Sequence, residues 1–275
     1  MVIPFILGVY YSFTDWNTLS PNPNWLGLKN YTSMFSDISL LHSFIITVIF
    51  SAINIACVNI LAFFFSLLVT GKLKGTNVYR SGFFTPNLIG GLVLGFLWKF
   101  IFSQVIPAIG NTIGSEKIAD IMFLADPNLA LLAIAIVCTW QYAGYIMLIY
   151  IAGIQNISSS VIEASCIDGT TYFQRLRYIV FPMLASSFTI AIFLTLINSF
   201  KQFDVNVSLT GGGPARFFMG QAIKGTQLFA MNIYDQAFSY NQSAAAQARA
   251  VLFFLILVIV SLIQVYFNKK REVEL

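Results

Sequence analysis

Five stretches of the chain, at about 40–69, 82–102, 128–153, 180–203 and 248–267, are apolar over roughly 20 residues or more. That is the length at which a helix crosses a hydrocarbon core of about 30 Å. In lipid every backbone N–H and C=O must find its partner inside the chain, so each stretch is expected to be a helix. Composition agrees: 57% of residues are hydrophobic and 9% charged, with a mean hydropathy of +0.78, too apolar for a soluble domain. The expectation is an all-α integral membrane protein forming a single transmembrane domain over 1–275.

The opening "MVIPFILGVYYSF" is apolar as well, but its dozen or so residues rise only about 18 Å as a helix. It reads as the outer half of a truncated first span, giving six transmembrane helices. A signal peptide fits less well, because no basic leading region or small-residue cleavage site is present. Lys72, Lys74 and Arg80, then Arg175 and Arg177, and last Lys269, Lys270 and Arg271 flank the spans. The positive-inside rule makes these segments cytoplasmic and places both termini inside. Loops with Asp15, Asp37, Glu116, Asp120, Asp126 and Asp235 then face outward.

The net charge of +4 forms no basic stripe, which argues against nucleic acid as a partner and for membrane lipid. Cys57, Cys138 and Cys166 are odd in number, and two fall inside apolar runs. They indicate packing residues rather than a disulfide framework or a metal site. No catalytic constellation and no cofactor motif is present, and no enzyme activity is expected.

A charged passage, "EASCIDGTTYFQRLRYIVFP" at 163–182, interrupts the apolar pattern on the inner side. Ser160 stands three residues before Glu163, the spacing of a capping box that starts a helix. Asp168 and Gly169 supply a turn, and "TYFQRLRYIVF" resumes as helix before Pro182. Two readings are open. The unit is a knob pushed by something outside the membrane, or an amphipathic linker resting Arg175 and Arg177 on lipid headgroups.

The passage resembles the EAA loop of binding-protein-dependent ABC import permeases. Glu163, Ala164, Gly169, Ile179 and Pro182 fall on that pattern at full spacing, while Ser165 and Phe181 depart from it and Ser158 stands where the family usually has proline. "SFTDWN" at 12–17, "YRSGFFTPNLIGGLVLGFLWKF" at 79–100 and "LTGGGP" at 209–214 are similar to the carbohydrate-importing, maltose-type branch. The resemblance implies a type I permease fold in which the cytoplasmic loop at about 158–182 docks on an ATPase through Glu163, Ala164, Ser165, Asp168, Gly169, Ile179 and Pro182. It also implies the partners: a second homologous permease subunit, two cytoplasmic ATPase subunits and an extracytoplasmic sugar-binding protein. An external engine fits the residues, because no GxxxxGK[ST] phosphate loop occurs and "TGKLKG" at 70–75 has the wrong spacing.

Polar side chains at membrane depth are costly unless they face the protein interior or a wet cavity. Thr195, Asn198, Ser199 and Gln202 fall at i, i+3, i+4 and i+7 in the fourth long run, and Cys138, Tyr142 and Tyr145 share a face one run earlier, with Gln141 alongside. Amides and hydroxyls beside aromatic rings suit a neutral polyol, so these residues are candidates for a sugar path. Helix-to-helix hydrogen bonding is the competing account. Lys201 and Asp204 are expected to snorkel or pair with each other, and His42 to sit at the interface. Gly211, Gly212, Gly213 and Pro214 form an outer loop, either a plain connector or, as the resemblance implies, the contact for the binding protein. A free-standing secondary carrier is the alternative function. It commonly shows inverted repeats and intramembrane carboxylates, and neither is evident here.

Overall fold

A computed structural model describes residues 2–17, 23–71 and 74–269. Lys72, Lys270 and Arg271 of the basic set expected on the inner side lie outside the described residues. Among the described residues, four helices are long and apolar enough to cross a membrane: Ile38–Thr70, Gly91–Thr112, Pro127–Gln155 and Ser243–Phe267. The pair Tyr172–Met183 and Ala185–Phe200, bent by 69° at the single residue between them, makes a fifth if it is counted as one span. Val2–Tyr11 is a helix of ten residues and does not reach across.

Two expected spans move. The run at 82–102 is not one helix: Thr76–Phe84 passes into a 3-10 turn at Thr85–Leu88, Ile89 is extended, and the crossing helix begins only at Gly91. Pro86 has no N–H to donate, and Gly90 and Gly91 weaken helical continuation, so hydropathy alone put the start nine residues early. The run at 180–203 likewise begins at Ala185 and ends at Phe200, leaving Gln202 beyond the helix. In both segments a π-helical turn precedes a proline, Ile101–Val105 before Pro107 and Leu176–Val180 before Pro182. A proline ring clashes with the carbonyl four residues back, and the wider turn relieves that clash.

The chain divides into two compact units. The first comprises Met1–Ser51, Gly91–Val137 and Ser199–Ile259. Its apolar centre joins Met34, Leu40 and Phe229, with Phe44, Leu252 and Phe253 packed against them and the Phe229 and Phe253 rings stacked at 5.1 Å. It also contains a feature that the helical expectation lacked, an antiparallel hairpin of Ala215–Phe218 with Gln221–Lys224. Its two-residue turn has positive φ at Met219 (47°) and Gly220 (81°), the backbone that matches strand twist. "FFMGQA" lacks the usual Asn-Gly or Asp-Gly signal, which is why the hairpin was not legible.

The second unit comprises Ala52–Gly90, Cys138–Asn198 and Val260–Leu275. Val58, Ala62, Ile146, Met147, Tyr150 and Ala191 form its buried centre. Small residues let its helices approach: a Cβ on Gly144 would overlap the backbone carbonyl of Phe83, and one on Gly153 would overlap the Ser187 side chain. The Phe65 and Phe83 rings stack at 4.0 Å. Of the three cysteines only Cys138 is buried, and Cys57 and Cys166 are exposed. Their positions on outward-turned helix faces, which a run of hydropathy does not reveal, correct the packing role for those two.

Candidate functional site

The charged loop in the second unit is a helix, a turn and a helix. The first helix is Ser159–Ile167; Ser158 holds its N-cap position without a side-chain cap, and the expected Ser160 and Glu163 box does not form. The Ser158 and Ser160 hydroxyls instead pair at 2.7 Å, and Glu163 stands exposed in the second turn. The helix closes at Asp168, whose N–H donates to Ala164 O, and Gly169 follows at φ +73° with its N–H on Cys166 O. Left-handed backbone at this position is cheap for glycine alone. Thr170 returns to the helix end, donating to Ser165 O from both N–H and hydroxyl.

Thr171 then starts the second helix through a complete capping box with Gln174. That T-x-x-Q signal stands in the sequence. Arg175 ties the two helices, donating to Cys166 Sγ at 3.0 Å. Ser165 is buried, with its hydroxyl on Ile162 O, whereas Glu163, Ala164, Asp168, Gly169 and Pro182 are exposed and Ile179 is half-buried. At the tip Ile167 is 87% exposed and Phe173 78%. Two large apolar side chains therefore stand in the open on the loop.

The candidate path residues divide between the units. In the second, Cys138 is buried, and Tyr142 and Tyr145 are half-buried against the core. Gln141 is buried and donates its amide to the Ile89 carbonyl, freed by the helix break, while its Oε1 has no partner among the described residues. Thr195 donates to Ala191 O and accepts from Asn59, and Asn59 in turn accepts from Tyr150 Oη at 2.6 Å. Asn198 is half-buried. Ser199 and Gln202 are buried in the first unit, so Gln202 does not continue the helical face.

The polar set on Ile38–Thr70 was missed. Ser43, Thr47, Ser51 and Asn54 are all buried and spaced by four, four and three residues, the same signal that singled out the later helix.

The glycine loop is a structured turn. Gly211 and Gly212 have φ of 59° and 82°, Thr226 donates its N–H to Gly212 O and its hydroxyl to Gly213 O, and Gly225 donates to Pro214 O. Lys201 and Asp204 form no ion pair with each other. Asp204 instead packs on Gly91, where a Cβ would come within 2.7 Å of its own. His42 is buried rather than interfacial, its ring 5.1 Å from that of Phe218. The hairpin that covers it is what hydropathy could not anticipate. The ion pairs among the described residues are Lys224 with Asp235 and Arg249 with Asp37.

The family model described as "Binding-protein-dependent transport system inner membrane component" matches residues 62–273. The chain belongs to this family. It is 43% identical over 275 residues to the probable starch degradation products transport system permease protein AmyD of Thermoanaerobacterium thermosulfurigenes, covering 100% of this chain and 90% of the relative. It is 30% identical to the multiple sugar-binding transport system permease protein MsmF of Streptococcus mutans, over 98% of this chain and 90% of that one. A bacterial ABC transporter involved in the import of the acidic polysaccharide alginate shares the fold, with a TM-score of 0.82 at 16% identity over 98% and 90% of the two chains. The permease is thus a multi-pass membrane transport subunit of a binding-protein-dependent importer, with the fold of ABC importer permeases. Its apolar helices carry the crossing, and a compact charged excursion between crossings is the loop built around Gly169.

Proposed function

We propose that this permease, paired with a second homologous permease subunit, forms the translocation path for a neutral oligosaccharide that an extracytoplasmic sugar-binding protein delivers. Two cytoplasmic ATPase subunits drive it through the loop at 158–182, and both termini are cytoplasmic. The observation that carries this reading is the loop itself: a helix pair turned at Gly169, the second helix started by a capping box, with Ile167 and Phe173 bare, on a chain without a phosphate-binding motif of its own. Glu163, Ala164, Asp168 and Gly169 line its exposed side, and buried Ser165 braces it from within. Gly211, Gly212, Gly213 and Pro214 with the hairpin that follows receive the binding protein.

Sugar as cargo is supported by the relatives named for starch degradation products and multiple sugars. It is supported also by the path candidates, which are hydroxyls, amides, phenols and one thiol without a cation among them. An anionic cargo calls for arginine or lysine, and the buried Arg249 is already held by Asp37. Cys138, Tyr142, Tyr145, Thr195, Asn198, Ser199 and Gln202 would share the path, with Thr195 also bonding between helices.

The test is to purify the tagged permease in mild detergent, identify what accompanies it, and measure maltotriose uptake by the reconstituted assembly. An ATPase and a second permease in the preparation, with ATP-dependent uptake, are the expected result. Transport by this chain alone without ATP would instead establish a secondary carrier. In the same assay Asn198→Leu and Tyr142→Ala are expected to raise the KM for maltotriose about tenfold, the loss of roughly 1.4 kcal/mol per contact. Basal ATPase activity should be unchanged. Unaltered uptake kinetics in both variants would assign these residues to packing.

A further inference from the structure

Arg249 sits in the second turn of the last crossing helix with its side chain 6% exposed. Its Nη2 donates to Asp37, just ahead of the helix Ile38–Thr70, and its Nη1 donates to Asn232 Oδ1. Asn232 donates to Ser39 Oγ and to Gln227 Oε1, both at 3.2 Å. Gln227 donates to Asp235, which also receives Lys224 Nζ at 2.7 Å. Lys224 ends the second hairpin strand and pairs with Ala215, the residue after Pro214. An unbroken chain of polar contacts therefore runs within the first unit from the glycine loop to the last crossing helix.

A buried ion pair rarely adds stability over apolar side chains of the same shape, and a charge in a crossing helix is costly without a task. Packing alone would be served better by methionine or leucine. Arg249 is moreover incompletely satisfied, since its Nε is buried without a partner among the described residues. Directional contacts of this kind hold one geometry and give way together when one end is displaced.

We propose that Arg249 is a positioning residue that transmits binding-protein docking. At rest, the chain Lys224, Asp235, Gln227, Asn232, Arg249 and Asp37 locks the hairpin and glycine loop to the last crossing helix. Docking of the loaded binding protein on that loop shifts Lys224 and Asp235, the contacts on Arg249 rearrange, and the last helix is freed to move with the ATPases. This inference rests on the import reading above and adds to it the route by which the outside signals to the inside.

The experiment uses the whole assembly in nanodiscs, with ATPase rate measured against binding protein preloaded with maltotriose. Wild type is expected to be stimulated. In Arg249→Met the basal rate is expected to rise and the stimulation to fall about tenfold or more, within the span of coupling between two sites. The reversed pair Asp37→Arg with Arg249→Asp is expected to recover part of it. Lys224→Met cuts the other end of the chain at a side chain 43% exposed, with little risk to folding, and should show the same loss. Wild-type stimulation in both single variants overturns the proposal, and so does failure of both to assemble, which would make the network structural. A wild-type assembly that loaded binding protein does not stimulate defeats the import reading instead.

Discussion

Gly169→Pro is expected to abolish ATP-driven uptake while the permease still inserts in the membrane. Gly169 has φ +73°, and proline is locked near −65°. The substitution also deletes the N–H that bonds to Cys166 O, so the turn between the two loop helices cannot form. Ile167 and Phe173 would then leave the positions in which the proposed ATPase contact needs them. Glu163→Ala probes the same coupling without touching the backbone. Because Glu163 is exposed, its removal should alter stability by no more than about 0.5 kcal/mol, yet uptake is expected to fall to background. Gly169→Ala, strained by about 1–2 kcal/mol at this φ, should lie between wild type and proline. The measurements are uptake in vesicles, thermal stability in detergent, and recovery of the ATPase with the purified permease. Normal uptake in both Glu163→Ala and Gly169→Pro would return the loop to the status of an interfacial linker.

The second large effect concerns folding. Gly144→Leu is expected to prevent assembly of the second unit, read as loss of a monodisperse peak on size exclusion and of protease resistance in membranes. A Cβ at this position overlaps the Phe83 carbonyl, and the side chain beyond it has nowhere to go. An added methylene in a packed core costs about 1–3 kcal/mol when neighbouring side chains can yield, and a backbone carbonyl yields far less. Gly82→Leu, with nothing within 4 Å of its Cβ, is the control and should fold normally. A well-folded Gly144→Leu protein would show that the two helices do not approach so closely.

Much of the crossing architecture could be read from the chain by itself. The runs at 40–69, 128–153 and 248–267 appear as Ile38–Thr70, Pro127–Gln155 and Ser243–Lys269. An uninterrupted apolar run in lipid has no other way to satisfy its backbone. The loop helix, its closing at Asp168 and Gly169, and its resumption toward Pro182 were also legible, since caps and glycine turns are local chemistry. Family membership followed from the same short segment.

Tertiary structure decided the rest. Pro86 with Gly90 and Gly91 split one apolar run, and the bend at Leu184 separated the loop helix from its crossing. Hydropathy averages over such breaks. Gln202 left the helical face expected of it because the helix stops at Phe200. Arg249 and Asp37 are 212 residues apart, and nothing local in either marks the other as its partner. Spacing along a helix reports which side chains share a face. What that face meets depends on chain returning from far away, through contacts whose formation is a property of the folded molecule.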